Sequence, residues 1–221
     1  MRPVNKGDAP KIKIKKYQDA EQHLEKRLGA YCSFCELPLQ HVPEVEHREA
    51  KSSGGEELDW DNFLLSCKYC NTRKGKIVKK GDLQKYLWPD IDDTFHAFSY
   101  EEDLPQVNAE YLNLIADGSY QKALNLLKLI KLDNRPTKTE RDRRFFARNE
   151  ARNSALMSRA GWLSMETSSD RDTYLETIVM LAKASGFFSV WMLVFKDIEA
   201  VKLRLLDSFP GTRREYFNGV R

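Results

Sequence analysis

The stretch that decides the fold runs from Tyr31 to Lys76. It reads Tyr31-Cys-Ser-Phe-Cys35, then Val45-Glu46-His47, then Asn62-Phe-Leu-Leu-Ser-Cys67-Lys-Tyr-Cys70-Asn71-Thr-Arg-Lys74-Gly75-Lys76, and it holds all four cysteines of the chain. Each CxxC pair presents two thiolates to one ion from a tight turn, and four thiolates close the tetrahedral shell of structural zinc. A redox CxxC or a disulfide staple is the alternative, but a redox protein has no need of the second pair. The 31 residues between Cys35 and Cys67 exceed the gap of a plain zinc ribbon, so a functional insert lies inside the zinc clip.

Within that insert, Glu46 and His47 end an apolar-leaning run, Leu39 to Val45, that reads as one arm of a short hairpin. A carboxylate and an Asn side-chain oxygen suit a hard divalent cation such as magnesium or manganese better than they suit zinc. Asn71 directly follows the last cysteine, so the clip fixes its position. The division of labour is zinc on Cys32, Cys35, Cys67 and Cys70 for stability, and a second ion on Glu46 and Asn71 for reaction. His47 is then free to take a proton from water. The bland alternative makes Glu46 and His47 surface residues of a zinc-binding loop; their place between the two cysteine pairs favours the chemistry.

Together these residues resemble the zinc-bearing branch of the HNH endonucleases, whose core is the ββα-metal fold. The resemblance implies His47 as the general base, Glu46 and Asn71 as ligands of the catalytic Mg2+ or Mn2+, and Asn62 as the residue that holds the loop carrying the His. The proline that follows the His in many such loops is absent; Arg48-Glu-Ala-Lys51 stands there. Met1 to Gly7 together with Tyr31 to Glu36 resemble the PtuB-type proteins of Septu and retron anti-phage systems. That likeness implies a PtuA-type ATPase partner related to ABC and SMC proteins and, in retrons, an RNA/DNA complex.

The chain has 221 residues, a 41% hydrophobic share and a net charge of +3. No run is long enough to cross a membrane and no apolar segment follows Met1 as a signal peptide would. Few, grouped cysteines suit a reducing cytoplasm. Residues 1 to 90 carry 17 Lys plus Arg against 14 Asp plus Glu, and residues 91 to 221 carry 19 against 19. The excess concentrates in Lys68, Arg73, Lys74, Lys76, Lys79 and Lys80, expected phosphate contacts of a nucleic-acid substrate.

The expected fold is α+β: an HNH ββα-metal domain over residues 1–90, with an extended arm at residues 1–16, and a mostly helical partner- or substrate-binding region over 91–221. Helices are predicted over Tyr17 to Leu28, Thr72 to Lys80, Tyr120 to Leu132, Asp172 to Ser185 and Ile198 to Phe209. Thr137-Lys-Thr-Glu140 has capping-box spacing for a charged helix reaching Gly161. Thr94 to Phe98 reads as a strand, and Phe187 to Phe195 as a buried helix or strand. No Walker A loop, Rossmann glycine pattern or internal repeat is present. The rival from another class is a non-catalytic zinc module that acts as a nucleic-acid or partner adaptor.

Overall fold

Phe63-Leu-Leu-Ser66 is a short, wholly buried run, and it forms strand β2 (Phe63–Ser66). It pairs antiparallel with β1 (Glu44–His47), Glu46 opposite Leu64 and His47 opposite Phe63. Pro43 stands just before β1; it has no N–H to give a ladder, so the hairpin arm begins at Glu44 rather than Leu39. Glu46 and His47 thus lie in the strand itself, on opposite faces. Helix α2 (Lys68–Lys74) follows at once, because the Cys67 sulfur accepts from the Cys70 N–H and caps it. Gly75, at φ +49°, ends it. The motif's helix therefore starts four residues before the predicted Thr72 and stops before Lys80.

The computed structural model describes residues 1–101, 103–115, 118–165 and 169–217. A 3-10 turn at Tyr17–Ala20 leads into α1 (Glu21–Leu28), which buries Leu24 and Leu28 and stops at Gly29. The first six residues are not a free arm. Met1, Arg2, Val4 and Lys6 are buried. Arg2 donates to the Leu28 and Pro210 carbonyls, and Lys6 donates to the Asp61 and Phe63 carbonyls beside Asp90. Lys11 to Lys16 finds no partner strand and is not extended sheet.

Beyond residue 90, a small hairpin pairs β3 (Phe98–Ser99) with β4 (Gln106–Val107). Thr94 to Ala97 is a turn, not a strand, because Asp93 accepts from the His96 backbone and pairs with its ring at 2.7 Å. Among the described residues six helices follow: α3 (Ala109–Ile115), α4 (Ser119–Leu129), α5 (Arg143–Ser164), α6 (Arg171–Ser185), α7 (Phe188–Val194) and α8 (Glu199–Ser208). Helix α5 starts later than its predicted cap. Thr137 and Glu140 close a turn of their own, and Asp142 caps α5 by accepting from the Arg144 N–H. The last predicted residues, 218–221, lie outside the described residues. Among the described residues no helix is long and apolar enough to cross a membrane.

Buried apolar side chains form two clusters. One runs from Val4 through Phe34, Phe63, Trp88 and Leu112 to Leu126 and Ala151, and so crosses residue 90. The other gathers Trp162, Ile178, Trp191, Phe195, Leu205 and Phe209 between α5, α6, α7 and α8. Glu36, just after the first cysteine pair, fastens the two. Its buried carboxylate accepts from the Ser189 N–H at 2.7 Å and the Ser189 hydroxyl at 2.6 Å, at the start of α7. Gly186 is needed there, since a Cβ at that position would lie 2.5 Å from the Glu36 carbonyl oxygen.

Candidate active site and zinc clip

The cysteine turn after Tyr31 and the β2–α2 junction bring Cys32, Cys35, Cys67 and Cys70 together, with all four sulfurs within 4.8 Å of one another. Every one is buried and none is in a disulfide. A tetrahedral zinc with bonds near 2.3 Å requires sulfurs about 3.8 Å apart, and Cys35 and Cys67 stand at 3.7 Å. The donor set fits structural zinc. Without an ion, burial and the neighbouring sulfurs push the Cys35 and Cys70 thiols far above their usual range. Four thiolates on Zn2+ carry a net double negative charge, and the Arg144 guanidinium lies against it, Nη1 donating to Cys70 Sγ at 3.2 Å. Arg144 is itself fixed by Asp142, by the Ile130 and Lys131 carbonyls and by the ring of Tyr69. Such outer contacts orient metal ligands.

On the far side of β1 and α2 lies a cleft of about 240 Å3 lined by Tyr17, Glu46, His47, Lys51, Asn71 and Gly75, among others. His47 sits edge-on between Tyr17 and Phe63. Its Nε2 is 3.0 Å from the Glu57 carbonyl oxygen. A carbonyl only accepts, so Nε2 carries the hydrogen and Nδ1 of the neutral ring keeps its lone pair. Burial lowers the His47 pKa further below its usual value, which keeps the ring neutral at pH 7.

Asn62 braces the loop that supplies Glu57. Its amide donates to the Glu49 and Glu56 carbonyls and its oxygen accepts from the Glu49 N–H. Asn71 donates its amide to Glu44 Oε2 at 2.6 Å, and its oxygen accepts no hydrogen bond among the described residues, which leaves it able to face a cation. Glu46 is buried, and burial raises its carboxyl to about 7 against the opposing pull of Lys74. Glu46 and Asn71 offer hard oxygens that fit magnesium or manganese.

The family model described as HNH endonuclease matches residues 32–76. This stretch is an HNH endonuclease domain. No curated protein and no solved structure matches the chain.

The HNH domain changes the expected set of phosphate contacts. Lys74 is not among the surface cations: its side chain is fully buried, four residues along α2 from Cys70, with its ammonium 2.7 Å from Glu46. Arg73 is half-buried over Tyr69 and paired with Glu140. Lys68 is exposed but pairs with Glu44 at 3.1 Å, and Lys76 is exposed. His41 is exposed outside the cleft lining, and His96 belongs to the Asp93 turn. Sequence reasoning missed Glu44, which the alternation Glu44-x-Glu46 on one strand face could have revealed. It also missed Tyr17 and Arg144, whose contacts join segments remote in the chain.

Proposed function

We propose that this chain is a metal-dependent HNH endonuclease that hydrolyses phosphodiester bonds, with DNA as the default substrate and structured RNA such as transfer RNA as the alternative. The observation that carries the reading is the His47–Glu57 hydrogen bond at the cleft that Glu46 and Asn71 also line. It leaves His47 Nδ1 as a base able to take a proton from water. Asn62 holds that geometry by tying down the loop behind the ring. Glu46 and Asn71 would hold the cation, which when bound polarises a phosphate oxygen and stabilises the leaving oxygen. Lys68, at the start of α2, and Lys76, just beyond its end, would serve as phosphate contacts.

The likeness of Met1 to Gly7 and Tyr31 to Glu36 to PtuB-type proteins supports a cytoplasmic role in bacterial anti-phage defence beside a PtuA-type ATPase, in Septu or within a retron. One observation favours the adaptor reading instead: Glu46 already has a protein cation on it, Lys74.

The test is cleavage of supercoiled plasmid, with transfer RNA in parallel, by wild type and His47→Ala, in magnesium or manganese, with and without the ATPase. Cleavage that vanishes in the variant supports the enzyme and selects its substrate. Equal nucleic-acid binding with no cutting in any arm makes the adaptor the better reading.

A further inference from the structure

A cavity of about 820 Å3 lies where the turn before α5 meets its first residues, and it shares no lining residue with the cleft. Lys138, Arg141, Arg143 and Phe146 line it, and all four are exposed. The segment has two acids close by, but neither neutralises this group. Glu140 pairs with Arg73 on α2, and Asp142 is buried against Arg144. Lys138, Arg141 and Arg143 make no ion pair or hydrogen bond among the described residues. Three like charges around one cavity repel each other, and an anion relieves that repulsion. Phe146 stands among them 48% exposed, a flat apolar face beside cations. Phosphate-binding cations around a bare aromatic ring are the composition of a single-strand site, in which bases stack and the backbone is neutralised.

Resting on the nuclease reading, we propose that this cavity is a second nucleic-acid subsite, which takes an unpaired nucleotide segment of the substrate with a base on Phe146 and phosphates on Lys138, Arg141 and Arg143. Two contacts fasten it to the domain that cuts. Glu140 holds Arg73, on the helix that carries Asn71, and Arg144 holds the Cys70 sulfur. A strand held here is thereby held against the same rigid helix as the cleft.

The experiment measures binding of a labelled 20-nucleotide single strand and of its duplex by fluorescence anisotropy, across salt concentrations and without added divalent cation. It uses the full zinc-loaded chain in a His47→Gln background. The triple variant Lys138→Ala, Arg141→Ala, Arg143→Ala should weaken single-strand binding at least about tenfold and reduce the salt slope by about 2, near 0.7 per phosphate contact. Phe146→Ala should weaken single-strand binding roughly 5- to 100-fold with a smaller effect on duplex, and Phe146→Trp should retain it. Unchanged single-strand affinity in the triple variant, or equal losses on both probes for Phe146→Ala, overturns the subsite; an acidic peptide that outcompetes the strand overturns it in favour of a protein partner. His47-dependent cleavage with unaffected binding removes only the subsite. Loss of binding in a chain that cuts nothing keeps the subsite and removes the nuclease reading.

Discussion

At one end of α2 four buried thiols converge, and the charged group that donates to one of them is the Arg144 guanidinium. Four residues along the same helix from Cys70, Lys74 sits on Glu46, a β1 carboxylate that is just as buried. One site is unbalanced until an ion enters, because four crowded sulfurs can lose their protons together only onto a cation. The other is balanced by the chain itself, so the fold does not wait for an ion there, and a cation proposed at Glu46 would be exchangeable. The same strand pair and helix thus carry a cysteine cluster that fits structural zinc and, on the proposed nuclease reading, a second site that would take a working ion.

The sharpest way to break this contrast is Cys67→Ser. Structural zinc sites contribute on the order of 10 kcal/mol to folding, so thermal unfolding followed by circular dichroism should lose its cooperative transition. A native melt with no bound zinc would remove the distinction. Next comes His47→Gln, which keeps a hydrogen-bonding side chain but not the base. Cleavage should fall about 10²- to 10⁴-fold with the melting temperature nearly kept, as read from initial rates and a parallel melt. Arg144→Ala strands the buried Asp142 carboxylate and should cost about 3 to 5 kcal/mol in denaturant unfolding, along with faster loss of zinc to a chelator.

Lys74→Met sharpens the comparison further. It leaves Glu46 buried without a cation and should lower stability by about 3 kcal/mol. Added manganese should restore part of that loss in proportion to its occupancy, while the wild type responds less. A variant indifferent to manganese would show that no cation enters at Glu46. The smallest effect belongs to Lys80→Ala. It removes only the exposed pair with Glu56, and the melting temperature should not move, since Asn62 and not this pair holds the loop.

The four-cysteine cluster and the gathering of Glu46, His47 and Asn71 around one cleft were legible because metal-ligand chemistry is written in residue type and spacing. Lys74 was misread for a specific reason. With α2 expected only from Thr72, nothing placed Cys70 and Lys74 at i and i+4 on one buried face. A cap made by a cysteine sulfur is not a sequence signal for a helix start. The arginines of α5 and of the turn before it look alike in sequence, yet the fold sorts them, burying Arg144 and Arg148 and leaving Arg141 and Arg143 outside. Arg2 and Lys6 escaped notice because their partners, such as Pro210 and Asp90, lie far along the chain.

Glu36 falls within the matched stretch, yet the groups on its carboxylate lie outside it: Ser189, 153 positions away, and the Met1 ammonium at 3.4 Å. Cut out alone, this HNH domain would keep its four cysteines and the side chains proposed for catalysis while carrying an acid shaped for a helix that is no longer there. It is therefore a poor cassette. Anyone grafting it onto another scaffold, or trimming the chain to a minimal nuclease, must bring α7 along or replace Glu36 with a residue content to face water.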